Sequence, residues 1–426
     1  MSLAAEVIAP AAIPELIVAS ELLSSDHAFS NLPLISLLPA HGGMAWVQND
    51  AGIIGWGEAA RIVVRGRERF SRAQRWWNST VKAAEITDPL KLEGTGLVAF
   101  SSFAFEPGRS VVVIPEVVVG RKNGQTWITR IHEKDSDSPC IVPTEPDARI
   151  TSGAIRWEEG TQPVSLWQRT VANAIEKINH GDLDKVVLAR DIVARADNPL
   201  DVRNLLENLG KNYPECWLFL VDGLLGATPE LLIQRKGEEV RSRVLAGTIK
   251  RDREIASDKL AEKLLQSDKD QEEHEYAVAS VAEALASHCT DLNVPGEPTV
   301  LKLANVQHLA TEITGMLVDD LPVLALAAAL HPTAAVCGTP TERAAALIRA
   351  IEGMDRGRYA GPVGWINANN DGELGIALRC GEIDSDDQRR IRLFAGCGIV
   401  AGSEPALEVQ ESNAKFEPMR NALMNS

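Results

Sequence analysis

The alternation of apolar and polar positions divides the chain into a strand-rich first part, a polar bridge and a longer mixed second part. Residues 1 to about 40 carry little pattern and predict a lead-in with one short element. Residues 51–64 read as strand, with Gly and Trp interleaved among Ile and Val. Over 67–84, Phe70, Ala73, Trp77 and Val81 recur at helical spacing and predict an amphipathic helix. Its arginines Arg67, Arg69, Arg72 and Arg75 read as a solvated face. Strands are expected at 96–106, 109–120 and 125–131. Asn123-Gly124 joins the last two, because both residues tolerate the positive φ of a two-residue hairpin turn. Residues 133–160, rich in Asp, Ser, Pro and Gly, read as a linker or long loop.

The second part opens with a helix over 164–179, its buried stripe marked by Trp167, Val171, Ile175 and Ile178, with Gly181 suited to end it. Strands follow at 185–195, 216–222, 230–235 and 239–246, then at 362–368, 373–382 and 390–400. Long helices are predicted at 253–289 and 341–352. Strands in hairpin-like succession with helices inserted in blocks define an α+β class with largely antiparallel sheets. Strict βαβ alternation is absent, which disfavours a dinucleotide-binding sheet.

Composition narrows the function. The 45% hydrophobic and 24% charged content is that of an ordinary soluble globular protein. A net charge of −16 argues against nucleic acid or an anionic membrane as partner, since both require a basic footprint. None of the six cysteines forms a C-x-x-C pair, and several sit in apolar runs, which predicts buried reduced thiols. With Glu6, Pro10, Pro14 and Glu15 interrupting the N-terminal segment and no apolar stretch of spanning length, a cytoplasmic protein is expected.

The candidate chemistry is mostly carboxylate. In SDKDQEEHEY (267–276), Asp270 and Glu273 share a helical face that continues through the small residues Ala277, Ser280 and Ala284. Such a face lies close to a ligand or sheet, though an acidic solvated surface produces much the same pattern. In GSEPALEVQESNAKF (402–416), Glu408, Glu411 and Lys415 fall on one face in the same way. Two carboxylate pairs on separate helices can hold one hard cation such as Mg²⁺. Gly396-Cys397-Gly398 ends an apolar strand and offers bare amides to a carboxylate, or is simply a tight turn. Lys185 and Glu230 each open an apolar strand, where a charge is usually just solvated. No phosphate loop, H-E-x-x-H or G-x-S-x-G motif occurs.

In order, DKVVLAR, LLGATPELL, LAGT, SDKDQEEHE, QHLAT, LHPTAAVCGTP, YAGPVGW, ALRC, FAGCGIV and E-x-x-E-x-x-x-K resemble the chorismate-utilising enzymes. That family includes the anthranilate, aminodeoxychorismate, isochorismate and salicylate synthases. The likeness covers roughly 160–420 as a chorismate-binding catalytic core, with 1–150 as the variable part that contributes strands. It implies a two-lobed α/β sandwich, large antiparallel sheets packed together with helices outside and the active site in a cleft. Lys185, where ammonia-using members carry glutamine, implies activation of water. Ala246, where aminodeoxychorismate synthases carry a nucleophilic lysine, argues against that chemistry. Val244, where many relatives have proline, and Ile249-Lys250, where arginines are common, depart from the pattern in the frame of the substrate loop.

The resemblance therefore implies an isochorismate synthase, a Mg²⁺-dependent isomerase of chorismate serving siderophore, salicylate or menaquinone biosynthesis. Lys185 is implied as the base for water attacking C2, and Glu230 as the acid that protonates the departing C4 oxygen. Lys185 must then meet water as a free amine and Glu230 must arrive protonated, which a desolvated cleft favours. Glu273 and Glu411 are implied as metal ligands, with Asp270 and Glu408 behind them holding the metal's waters. Gly247, Thr248, His308, Tyr359, Arg379, Gly396, Gly398 and Lys415 are implied substrate contacts. A monomer without a glutaminase subunit is expected. The alternatives are a salicylate synthase, which goes on to eliminate pyruvate, an aminating subunit, and a non-catalytic scaffold that keeps the cleft.

Overall fold

The computed structural model describes residues 12–136, 148–251 and 255–426. Among them the strands form a 13-stranded and a 10-stranded sheet. Every strand pair is antiparallel except Leu16–Leu22 with Glu85–Thr87. Side chains from both sheets, among them Trp46, Phe219, Phe100, Ile233 and Trp365, share one apolar core. A second core lies on the other face of the larger sheet, where Leu205, Leu206, Leu209, Phe416 and Met419 of two helices cover it. Strands of the first 136 residues are built into both sheets. Met44–Gln48 pairs with Trp217–Val221, and Val98–Ser102 pairs with Pro362–Asn367.

Several predicted strands prove to be two, and the breaks have one physical meaning. The run 51–64 divides into Ala51–Trp56 in the larger sheet and Ala60–Val64 in the smaller. The run 109–120 divides at Pro115-Glu116 into Ser110–Ile114 and Val117–Lys122, again one in each sheet. Pro115 cannot donate to a ladder, so the strand leaves its sheet there. The run 373–382 becomes Gly372–Ile376 and Cys380–Ile383, with Ala377-Leu378-Arg379 crossing between the sheets. Leu224–Thr228 and Leu231–Lys236 are likewise in different sheets, joined by Pro229-Glu230. Glu230 and Arg379 thus both occupy crossings, where backbone ladders open and side chains can point into the space between layers.

The Asn123-Gly124 hairpin forms as expected, with Lys122 opposite Gln125 and φ values of 51° and 76°. The helix at Val164–Asn179 and the strand at Lys185–Ala196 match their predicted spans closely. The expected helix over 253–289 is instead two, Ser257–Leu265 and Asp268–Ala286. Ser267 restarts it, its hydroxyl accepting from the Asp270 amide as an N-cap. The lead-in holds the strand Leu16–Leu22 and two short helical turns, and the predicted loop at 133–160 contains the strand Ile155–Glu159. The middle of that loop, with Cys140, lies outside the described residues. Cys216, Cys337, Cys380 and Cys397 are buried free thiols, and Cys289 is half-buried.

Candidate active site

One cleft gathers most of the candidates: Glu230, Thr248, Glu273, His308, Tyr359, Arg379, Gly396, Gly398 and Lys415 all line it. Its floor is the Arg390–Ile399 strand, which pairs along its length with the Lys185–Ala196 strand. Gly396 and Gly398 leave the floor bare. A Cβ at Gly398 would stand 2.4 Å from Glu273 Oε1 and 3.1 Å from Lys185 Cε. The Gly398→Ala variant is therefore expected to displace Glu273 and lower kcat roughly 10- to 100-fold through misplacement alone. Its melting temperature should fall somewhat as well, because the displaced Glu273 loosens its pair with Lys185. A kinetic comparison showing unchanged kcat would mean that Glu273 tolerates the displacement.

Lys185 is the first residue of its strand and is fully buried, not a solvated rim. Its Nζ lies 3.0 Å from Glu273 Oε1 as a charge pair. Burial pushes the Glu273 carboxyl up, but Lys185, through its charge and a hydrogen bond, together with Lys415 and Lys269 more than offsets this and holds it below the ordinary value. The stripe below Glu273 does what small residues allow: Ala277 is fully buried, and the helix packs on the Glu239–Lys250 strand.

Glu230 shows the opposite balance. It is 4% exposed, and its carboxyl is pushed up to about 8. Desolvation is the cause, outweighing the pull of Lys185, Lys415 and Arg379. Near neutral pH this acid keeps its proton.

The anion-holding side is built around His308. Burial, then Arg379 and Lys415, push the imidazole well below its ordinary value, so the ring is neutral. Its Nε2 accepts from Arg379 Nη2, which leaves Nδ1–H to donate to Thr248 Oγ1 at 3.0 Å. His308 thus braces Arg379, whose φ of 48° turns the chain at the crossing. Arg379 Nη1 is buried without an acceptor, a donor available to a substrate carboxylate. Lys415 Nζ donates to the Gly396 carbonyl at 2.8 Å and pairs with Glu411 at 2.7 Å. Tyr359 stacks on Phe394 with ring centroids 5.1 Å apart. Gly247, at φ 71°, brings the chain against the Asp270 backbone, and the Asp270 carboxylate accepts from Thr248 N at 3.1 Å and from Ser267 Oγ.

Carboxylates suitable for a hard cation are present. Cys397, Glu408 and Glu411 offer donor atoms within 4.8 Å of one another. Glu408 is buried with Oε2 unpartnered, and its carboxyl is raised to about 7 by desolvation and by Glu411. An unpaired buried carboxylate oxygen beside a second carboxylate is a costly arrangement that a divalent cation would relieve. The oxygens of Glu408 and Glu411 fit Mg²⁺, whereas Glu273, expected as a ligand, lies outside this grouping and pairs with Lys185.

Sequence reasoning missed the apolar walls Val187, Leu245, Val336, Leu378 and Phe394, which carry no signal distinct from core. It also missed Arg356, which spans the Val187 and Val336 carbonyls while paired with Glu352 at 2.6 Å. The i, i+4 spacing of Glu352 and Arg356 was the one available clue.

Fold and cleft together define an enzyme: an antiparallel α+β sandwich whose cleft sets a buried acid and a buried amine beside anchors for a small anion. The family model described as chorismate binding enzyme matches residues 44–424, and the chain belongs to that family. It is 32% identical over 408 residues, 89% of this chain and 84% of the relative, to the salicylate biosynthesis isochorismate synthase of Pseudomonas aeruginosa. It is 38% identical over 262 residues, 60% of this chain, to the isochorismate synthase MenF of Bacillus subtilis, and spans 55% of that relative's length. The solved structure of MenF, the menaquinone-specific isochorismate synthase from Escherichia coli, superposes with a TM-score of 0.78 at 25% identity. That superposition covers 97% of this chain and 96% of the other.

Proposed function

We propose that the chain is an isochorismate synthase, isomerising chorismate by adding water at C2 and expelling the C4 hydroxyl. The observation that carries this is a buried Lys185, 3.0 Å from the cleft residue Glu273, beside a cleft lined by a Glu230 carboxyl that keeps its proton near neutral pH. Lys185, an ammonium beside Glu273, must first give up a proton; as the free amine it takes a proton from the attacking water, and the double-bond electrons shift toward C4. Glu230 gives its proton to the C4 oxygen, which leaves as water, so one water enters and one departs. Solvent then returns the proton from Lys185 to Glu230. Arg379, braced by His308, holds a substrate carboxylate through its unpartnered Nη1. Tyr359 and Phe394 shape the ring's wall, and the Gly396 and Gly398 backbone admits the substrate closely.

Glu273 and Glu411 would hold Mg²⁺, with Asp270 and Glu408 on its waters; bound there, the ion would neutralise the ring carboxylate and polarise the conjugated system. We also read the protein as a cytoplasmic monomer that needs no glutaminase partner. No described helix is long and apolar enough to cross a membrane. Ala246 stands on the cleft wall where an aminating lysine nucleophile would be needed.

The test is incubation of the protein with chorismate and Mg²⁺, without a nitrogen source, and identification of products by chromatography and NMR. Isochorismate without pyruvate is the expected result. Salicylate with equimolar pyruvate would move the protein to the eliminating class, and turnover only with ammonia would overturn the water-activating role of Lys185.

A further inference from the structure

Cys397 lies between the two floor glycines, but strand alternation turns its side chain away from them, toward the Pro405–Met424 helix. There its Sγ donates to the Glu408 carbonyl at 3.3 Å, a weak bond. Its Sγ and carboxylate oxygens of Glu408 and Glu411 lie within 4.8 Å of one another, the one such three-donor grouping among the described residues. Glu408 is an independent sign of a ligand site, since its side chain is 3% exposed and Oε2 has no hydrogen-bond partner. Two cations already face the group, Lys415 on Glu411 at 2.7 Å and Lys269 near Glu408 at 3.8 Å, each approaching one oxygen of its carboxylate.

We propose that Cys397, Glu408 and Glu411 form a binding site for a thiophilic divalent cation such as Zn²⁺, Co²⁺ or Cd²⁺, overlapping the oxygen-only site read for Mg²⁺. Bonds of about 2.3 Å to sulfur and about 2.1 Å to carboxylate oxygen place tetrahedral S and O ligands roughly 3.5 Å apart. The present donors need to close by only about 1 Å from their outer separation to reach that geometry. Mg²⁺ keeps to oxygen and water and gains nothing from the thiol, whereas the borderline-soft ions gain a strong ligand. The thiol leaves its proton to solvent as the metal–sulfur bond forms, and no electron is transferred. Because Glu411 is shared, an ion so bound excludes Mg²⁺ and blocks the reaction. The proposal rests on the magnesium reading of Glu411 only for this last consequence.

The test is titration of the chelator-treated protein with Co²⁺, followed in the near ultraviolet and visible. A thiolate-to-cobalt charge-transfer band is expected, displaced by stoichiometric Zn²⁺ and absent from both Cys397→Ala and Cys397→Ser. Circular dichroism melting of both variants checks that they fold, the serine variant keeping the side-chain volume. Co²⁺ binding without the band, a band that survives in Cys397→Ala, or no Co²⁺ binding at all would each overturn the proposal. The two readings fail separately. Isochorismate formed with Mg²⁺ but no band removes only the thiophilic site, whereas a band without isochorismate removes only the assigned activity.

Discussion

Replacing Lys185 with glutamine is expected to lower kcat by about 10³-fold or more, because the amide keeps reach and polarity but cannot take a proton from water. A second effect must be separated from the first. Lys185 is fully buried and 3.0 Å from Glu273 Oε1, so its removal leaves a carboxylate in the cleft without its cation. Breaking a buried pair from one side costs on the order of 3–5 kcal/mol. The Lys185→Gln variant should therefore melt at a lower temperature as well as turn over slowly. Adding Glu273→Gln removes the stranded charge, and the double variant should recover most of the lost stability. Its activity should stay low, since neither a base nor the implied metal ligand remains. A Lys185→Gln enzyme with near-parental kcat under conditions where it is folded would show that another group activates the water.

The same residue shows how far the sequence could be read. Its place at the head of a strand was legible from the glycine stop at Gly181 and the β-branched run that follows. Its burial was not, because a lone polar residue opening an apolar strand looks identical whether it faces solvent or a layer interface. Periodicity also hid the sheet crossings. Both halves of 109–120 and of 373–382 are buried on two faces, so no alternation marks the point where the chain changes sheets. Only Pro115 and Pro229 signal such breaks, and Pro229 stands immediately before Glu230. The pairing of Asp270 with Glu273, and of Glu408 with Glu411, was readable because helical spacing is local. That Asp270 anchors the Thr248 amide, and that His308 braces Arg379, depends on contacts between strands and helices far apart in the chain. Motif order supplied what spacing could not, by bringing the separate blocks into one cleft.

Glu230→Gln separates catalysis from stability in the opposite sense. Glutamine fills the same space and donates a hydrogen bond but has no proton to transfer, so kcat should fall by about 10²- to 10⁴-fold. In the parent, kcat/KM should decline above a limb near pH 8, where the acid loses its proton. The stability consequence has a definite sign. The folded-state value of about 8 lies above the ordinary 4.5, so between these the folded protein holds a proton that the unfolded chain has released. The group's favourable contribution is complete below about pH 4.5, shrinks as pH rises, and is gone once pH passes about 8. Over that window the cost of keeping Glu230 buried grows to at most about 5 kcal/mol. Glutamine does not titrate, so the variant should gain on the parent in melting temperature between pH 6 and pH 9 while remaining slow at both. A parent and variant whose melting curves shift in parallel with pH would place the Glu230 carboxylate in contact with solvent. The acid step would then have to be reassigned, because a solvated carboxylate is already ionised at the pH where the enzyme must protonate its leaving group.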